Sequence, residues 1–516
     1  MSGSKLFSIL IFAFFLLIYA LSIPEALSVA HDSIQYIFDI EKGTDIFHPH
    51  HLLFTPIVRV WAELMSAVFG INDTSFSPGI INSLFGAMGV MFIFKILAEV
   101  FKIKNVAASL WASIAGLNFG YWFYSICVEI YIIPLGLVLA GIYYLCKSDY
   151  KGKWFLVSAG LLGFSVLVHQ LHILFIFPLL FIFANNFKKI GINSILLYLA
   201  VYLSIIAIGY FYVIFAVKNL YTFDDIIYWL TFYTHVLPSW NEPEASGFLK
   251  ILIGFGRSFI ATQPFLVSPE TSGLMKAFFA QKSLEDDSYL LRSLSQGTIY
   301  IYLFAVAALL SLIIYFFIKA TGNLRSQAKK NKEILIFVAA FIVYSIFFSF
   351  WNPENLEFWI PQNVFLWIML AVFLKDKTNK FMLPALAILI AGLNWFFLIS
   401  RTGNIDNDYY YTKVKKIESA SKNNDLILLE NKWIDWYYFD KFTDIDKLSL
   451  NQYPGDHEDE FDPIGYIEKK LDRGNRVYMV DNLIQNSPDE YSHELSRFRS
   501  RLDSIEHKFF KVYVLK

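Results

Sequence analysis

Residues Ile299–Ile318 read IYIYLFAVAALLSLIIYFFI, a run without a single charged side chain. At about 1.5 Å per helical residue, ~20 apolar residues cover the hydrocarbon core of a bilayer, and a helix apolar on every side belongs in lipid or deep inside a large protein. Ten further apolar runs fall near 6–27, 80–98, 106–124, 130–146, 154–168, 172–184, 195–217, 334–350, 359–374 and 381–400. The chain is 56% hydrophobic, 17% charged against about a quarter in ordinary soluble domains, and has a mean hydropathy of +0.48. These observations predict an α-helical polytopic membrane protein with about 11 transmembrane helices. A formal net charge of −1 supplies no clustered basic surface, so no nucleic acid partner is expected.

The runs 154–168 and 172–184 form one apolar stretch interrupted by His169-Gln170-Leu171-His172, which predicts two short helices about a polar kink. The first run lacks a small-residue cleavage site and is kept as a span. Lys102 and Lys104, Lys147 to Lys153, Lys188 and Lys189, Lys319 to Lys332, and Lys375 to Lys380 occupy alternate loops, which the positive-inside rule places in the cytoplasm. The short loops around 119–129, 169–172 and 351–358 hold no Lys or Arg and face outward. With Lys5 inside, the loops 28–79 and 218–298 and the tail after Arg401 fall on the outer side. The expected division is a membrane domain over 1–400 and a small extracytoplasmic α/β domain over 401–516.

In the first outer loop Tyr36–Ile40 and Leu52–Phe69 show helical spacing, with Arg59 and Glu63 as an i,i+4 pair. Phe248–Val267 is apolar, but an extra crossing there would put Lys319–Lys332 outside, so it is expected to be interfacial or re-entrant. In the tail, Asp425–Leu429, Arg476–Val480 and Phe510–Leu515 are predicted strands. Asp462-Pro463 opens one helix, and Ser487-Pro488-Asp489-Glu490 opens another with a capping box. The tail holds no Gly-rich phosphate loop and no metal-type Cys/His spacing.

Ionisable groups are expensive at a bilayer boundary and mark functional sites there. Three such features share the outer side: Asp32 after the first span, His48-Pro49-His50-His51-Leu52 opening a juxtamembrane helix, and Tyr124–Tyr131 carrying Glu129 between the third and fourth spans. Their order resembles the GT-C superfamily of polyprenyl-phosphate-sugar-dependent glycosyltransferases, in its protein O-mannosyltransferase-like and aminoarabinose-transferase-like branches. There an acid follows the first span, a His-Pro-Pro-Leu-like motif opens the second juxtamembrane helix, and a second acid sits in the next outer loop. In this chain the second proline is replaced and one residue is added.

The resemblance implies a GT-C-like bundle in a bacterial inner or cell membrane, with its active site and C-terminal domain outside the cytoplasm. It implies a polyprenyl-phosphate-linked sugar as donor, a protein, lipid or glycan as acceptor, and contact with membrane lipids. No cofactor is expected to be required. A divalent metal is compatible with the acids and histidines, its identity open. Asp32 would be the general base, with a helix-capping role as the alternative. Glu129 would be the second acid, against a solvated loop glutamate. His48, His50 and His51 would bind phosphate, acceptor or metal, against an interfacial polar turn. His169 and His172 would face the same cavity, or satisfy each other and nearby backbone at a helix break.

Outer-side cations for a lipid phosphate are Arg59, Lys250, Arg257, Arg292 and Arg401; Arg257 stands out within an apolar run, where snorkelling to headgroups is its alternative. Glu357 lies in the acid-aromatic loop Trp351–Trp359, whose rings suit sugar faces or an interfacial belt. Rival functions are a transporter or flippase of lipid-linked glycans, and an outer-face glycan polymerase or ligase. Transporters favour paired halves and polar groups at mid-membrane, whereas this chain gathers its ionisable groups at the outer rim.

Cysteines placed at Ser326 and Ser487 test the orientation with a membrane-impermeant thiol reagent. The expected outcome in intact cells is labelling at 487 and not at 326; the reverse pattern overturns the arrangement.

Overall fold

The structure is a computed structural model that describes residues 3–516 apart from 29, 45, 232–239, 241–244, 269–270, 274–284, 376–378, 380, 423, 430–432, 451–461, 481–493 and 509. It has two compact units. The first comprises Met1–Pro24, Asp39–Phe278 and Leu294–Arg401; the second comprises Glu25–Phe38, Phe279–Ser293 and Thr402–Lys516.

The first unit is an α-helical polytopic membrane bundle. Among the described residues, six helices are long and apolar enough to cross a membrane: Gly3–Ala20, Phe76–Val100, Ile192–Val217, Gln296–Thr321, Leu356–Phe373 and Met382–Thr402. Five shorter apolar helices accompany them: Asn105–Leu117, Ile132–Lys147, Gly152–Val168, Gln170–Asn185 and Ile334–Phe350. Each of the eleven expected spans is met by one of these. Helix Ile360–Phe373 is buried along its whole length, whereas Gln296–Thr321 leaves Ile301, Phe304 and Ile318 exposed, the difference between a core helix and one wetted by lipid. Helix Phe76–Lys95 approaches Phe119–Ile126 closely because Gly86 and Gly89 carry no side chain. The Tyr121 hydroxyl donates to the Gly86 carbonyl at 2.8 Å, and a methyl group on Gly89 would overlap that hydroxyl.

Two departures from regular helix shape the interior. The run expected as one span over 106–124 is broken at Asn118, which is extended (φ −60°, ψ 146°) between Asn105–Leu117 and Phe119–Ile126. Its amide turns back to the Ile114 carbonyl at 2.6 Å, the local competition with helical bonding that asparagine offers. Opposite this break, helix Ala245–Arg257 ends and the chain doubles back. Phe119 N and Gly120 N donate to Phe259 O and Ser258 O, each at 3.0 Å. The 169–172 interruption behaves as the sequence leads one to expect: Gly152–Val168 ends, a 3-10 turn covers Gln170–Phe175, and Ile176–Asn185 follows.

The second unit carries a five-stranded sheet of order β2-β1-β3-β5-β4, formed by β1 (Leu426–Leu429), β2 (Asp446–Ser449), β3 (Val477–Met479), β4 (Leu502–Glu506) and β5 (Lys511–Leu515). β1 pairs in parallel with β2 and β3, and β5 pairs antiparallel with β3 and β4. Helix Trp433–Phe442 leads from β1 to β2, and helix Pro463–Asp472 precedes β3, giving the small α/β fold expected. Asp462 caps the second helix, its Oδ1 accepting Ile464 N and Gly465 N at 3.0 Å. Leu426, Leu428, Val477 and Met479 pack on Ile464, Ile467 and Leu471 of that helix. Strands β2 and β4 escape the sequence reading because they are the sheet's edges, where polar residues such as Asp446, Lys447, Asp503 and Glu506 are tolerated and blur the apolar pattern. The capping box at Ser487–Glu490 lies outside the described residues.

Polar bonds close this unit around segments far apart in sequence, those of Asp408 to Leu27, Ser28 and Tyr438 being buried. Asp408 Oδ2 accepts Leu27 N at 2.8 Å, Ser28 N at 3.0 Å and the Tyr438 hydroxyl at 2.6 Å, while its Oδ1 caps helix Tyr409–Ala420 through Tyr411 N at 3.0 Å. Arg292 reaches Asp406 O at 2.9 Å and Asn407 Oδ1 at 3.1 Å. Asp408→Ala strands several buried donors and is expected to cost roughly 2–4 kcal/mol. Hydrogen exchange at Leu27 and Ser28 checks this: faster exchange is expected in the variant, and wild-type protection there would refute the role.

Candidate active site

Glu129 lies on the short non-helical link between Phe119–Ile126 and Ile132–Lys147. It is only 3% exposed, which removes the solvated-loop alternative. Asn82, from helix Phe76–Lys95, holds the link by donating to the Cys127 carbonyl at 2.5 Å and the Glu129 carbonyl at 2.7 Å. Beside it stands Tyr124, whose hydroxyl donates to Glu357 Oε2 at 3.1 Å and which feels the charge of both Glu357 and Glu129. One phenol thus lies near two acids contributed by separate loops.

Tyr131 carries the arrangement on to the histidines. Its ring meets Tyr124 edge-on at 5.2 Å and lies 5.4 Å from the His169 ring. His48 caps the 3-10 turn Pro49–His51, its Nδ1 accepting His50 N at 3.3 Å, and stacks on His51 with centroids 4.4 Å apart. Gln170 Nε2 and His50 Nδ1 are 2.9 Å apart, which joins the first loop to the 169–172 kink. His169 Nδ1 accepts Leu171 N at 3.2 Å, and His172 Nδ1 pairs with the Tyr344 hydroxyl at 2.9 Å. His169 thus bonds nearby backbone and lines a cavity, whereas His172 bonds a side chain of another helix.

That cavity, of about 440 Å³, has His50, His169, Gln170 and Tyr210 among its polar lining and Trp240, Phe347, Phe348, Trp351 and Phe358 among its aromatic walls. Burial, reinforced by His48, pushes His50 down to about 4. Burial and the neighbouring histidines likewise hold His51 and His169 well below the usual imidazole value. His50, His51 and His169 are therefore neutral near pH 7, and they present hydrogen-bonding nitrogens rather than positive charge. Among the described residues, no three His, Cys, Asp or Glu side chains are disposed to hold a metal ion.

Arg257 ends helix Ala245–Arg257 and donates to the Glu354 carbonyl at 3.3 Å, and Lys250 pairs with the Glu354 carboxylate at 3.7 Å. Both cations thus hold the loop that carries Glu357. In the second unit, Asp32 opens helix His31–Lys42 with its side chain exposed. The density of protein around it nonetheless raises its carboxyl above the usual value, with His31 pulling the other way. His31 itself pairs with buried Asp286; burial alone would lower it, but that partner and nearby acids raise it to about 9.

Sequence reasoning missed Asn82, Tyr124, Tyr131, Gln170 and Tyr344 as parts of the site, and His31–Asp286 as a pair. The tyrosines stood within a stretch already singled out for Glu129, and the hydroxyl between acids was the signal available. His31 and Asp286 are 255 positions apart, and no spacing rule links them.

No protein-family model and no curated protein sequence matches this chain. Among solved structures it is similar to ArnT from Cupriavidus metallidurans bound to undecaprenyl phosphate, with a TM-score of 0.54 at 11% identity over 98% of this chain and 97% of that one. It is also similar to the same protein in the apo state, with a TM-score of 0.45 at 12% identity over 99% and 98% of the two chains. A third is the Archaeoglobus fulgidus oligosaccharyltransferase in complex with zinc and sulfate, with a TM-score of 0.45 at 12% identity over 93% of this chain and 69% of that one. The first likeness is one of fold.

The lowered histidines make a pH prediction. Above about 6.5 His50 is neutral whether folded or unfolded; below that the unfolded chain takes up a proton that folded His50 accepts only near 4. Stability should therefore fall as pH drops from about 6.5 toward 4. Thermal unfolding of His50→Gln should show a flatter slope across that interval, and a slope equal to wild type would disprove the assignment.

Proposed function

We propose that this chain is a membrane glycosyltransferase that moves a sugar from a polyprenyl-phosphate-linked donor to an acceptor outside the cytoplasm. The observation that carries the reading is the cavity: aromatic walls suited to the first isoprene units of a lipid, with imidazoles and an amide among its lining for phosphate oxygens. The fold shared with ArnT, a protein crystallised with undecaprenyl phosphate, supports it. The reading places the histidine loop and the C-terminal domain on the extracytoplasmic side of a bacterial inner or cell membrane, and it requires no cofactor.

In the reaction, an acceptor hydroxyl attacks the anomeric carbon and the bond from that carbon to the phosphate oxygen breaks. The polyprenyl phosphate leaves with the bonding electrons, and the acceptor proton passes to a carboxylate. Phosphate is a good leaving group, so one positioned base suffices. The reading assigns this role to Asp32, whose carboxyl is shifted upward toward the operating pH. Glu129, held beside Tyr124, orients the acceptor, with Glu357 completing the pair of acids around that phenol. His48, His50, His51, His169 and His172 shape the polar end of the donor site. Arg257 supports it from the loop it holds, and a charge-assisted contact to phosphate would be roughly twice as strong as a neutral one.

The test supplies purified protein with a polyprenyl-phosphate sugar and measures acceptor-dependent release of the lipid phosphate. Asp32→Asn keeps the shape but cannot take the proton, so turnover should fall by about 10²–10⁴-fold with donor binding little changed. Glu129→Gln should cost less and raise the apparent acceptor Michaelis constant. Near-normal transfer by well-folded Asp32→Asn protein removes that residue from the mechanism. Acceptor-independent movement of intact donor across a bilayer would instead favour a flippase.

A further inference from the structure

The residue before Asp32 enters an ion pair that the transfer step leaves unused. His31 begins helix His31–Lys42 with its ring partly exposed, and its Nε2 meets Oδ2 of buried Asp286. A carboxylate that deep in protein is costly unless a group of opposite charge or a hydrogen bond meets it, and the imidazole supplies both. Both partners are anchored within the second unit. Asp286 Oδ1 accepts Asp287 N at 2.9 Å, and three residues on the Tyr289 hydroxyl donates to Thr412 Oγ1 at 3.0 Å. Arg292 then reaches Asp406 O and Asn407 Oδ1. On the other side of His31, Asp408 fixes the amides of Leu27 and Ser28. The backbone leading to Asp32 and the side chain next to it are therefore both tied to this unit, while the Asp32 side chain itself stays exposed.

We propose that His31, held as an imidazolium by Asp286, is a positioning residue for Asp32: it keeps a positive charge beside that carboxylate, so that Asp32 is ionised when an acceptor hydroxyl arrives. The inference rests on the reading of Asp32 as general base. The charged groups that act on His31 are Asp286 and Asp287 from the segment before Arg292, and Asp32 from its own helix. Burial opposes its charge, and these acids overcome that opposition and raise the imidazole to about 9. For Asp32 the signs reverse, since burial pushes the carboxyl up and His31 pulls it down. Tyr438 feels both Asp408 and Asp286, but burial holds its phenol neutral and its hydroxyl is given to Asp408, so it brings no competing charge. A general base has to reach the acceptor without a proton already on it. With the imidazolium gone, three neighbouring acids would repel one another, and Asp32 would keep its proton to higher pH.

Two measurements on the full-length protein in detergent test this, and the first needs no turnover. Exchange of the imidazole C2 hydrogen for deuterium, followed by mass spectrometry of the peptide that carries His31, should titrate near 9 in wild type and fall toward the ordinary value of about 6.5 in Asp286→Asn. The second is the pH profile of sugar transfer. The acid limb of kcat/KM should move up by roughly 1–3 pH units in His31→Gln, the range that one adjacent opposite charge supplies, and hold its position in His31→Lys, which keeps the charge. A merely structural role would lower kcat without moving the limb. Titration of wild-type His31 at the ordinary value, or an unmoved limb in well-folded His31→Gln protein, overturns the proposal while leaving the role of Asp32 intact. A limb that moves while Asp32→Asn protein still transfers sugar overturns it through its premise, because the titrating acid is then another residue.

Discussion

Backbone that leaves the helix inside a membrane protein must find hydrogen-bond partners within the protein, because lipid supplies none. In the first unit asparagines meet that demand. Asn82 serves the carbonyls of Cys127 and Glu129. Asn394 donates to Leu117 O at 2.8 Å and Phe259 O at 3.2 Å while its Oδ1 accepts Ala261 N at 2.9 Å, so one side chain fastens the Asn118 break to the chain reversal after Arg257. Both irregular stretches border residues assigned to the site. The freedom to place an acid on non-helical backbone at this depth exists because an amide elsewhere satisfies that backbone.

Around this frame the candidate site separates two electrostatic environments. His50, His51 and His169 are buried among other imidazoles, which keeps them uncharged near pH 7. The acids are paired through Tyr124, a group that donates one hydrogen bond and stays neutral itself. For the proposed reaction the division is useful: an anionic donor meets hydrogen-bonding rings, and acceptor hydroxyls meet carboxyl groups.

What the sequence disclosed followed from periodicity and burial. Eleven apolar runs announced eleven helices because lipid imposes length and apolarity together. Strands β1, β3 and β5 were legible because their cores are Leu, Ile, Val and Met, while the edge strands β2 and β4 mix in charge. The break at Asn118 was not legible, since one asparagine in an apolar run looks like a tolerated polar residue until its partners are known. His48, His50 and His51 were visible as a cluster, but their company with His169 depends on a loop 120 positions away. Pairings of that kind are set by tertiary packing and leave no local signature.

The second unit is discontinuous: Leu27 and Ser28 donate to a carboxylate that lies 381 and 380 positions later in the chain. During synthesis at ~5–20 residues per second, those two amides wait roughly 20–75 s for their acceptor to be made. Throughout that interval the two amides lack this acceptor, and most of the membrane bundle is made before the unit can close. Completion of this unit is thus tied to completion of the polypeptide itself, and a chain cut short before Asp408 would keep its spans while leaving Glu25–Phe38 exposed to proteases.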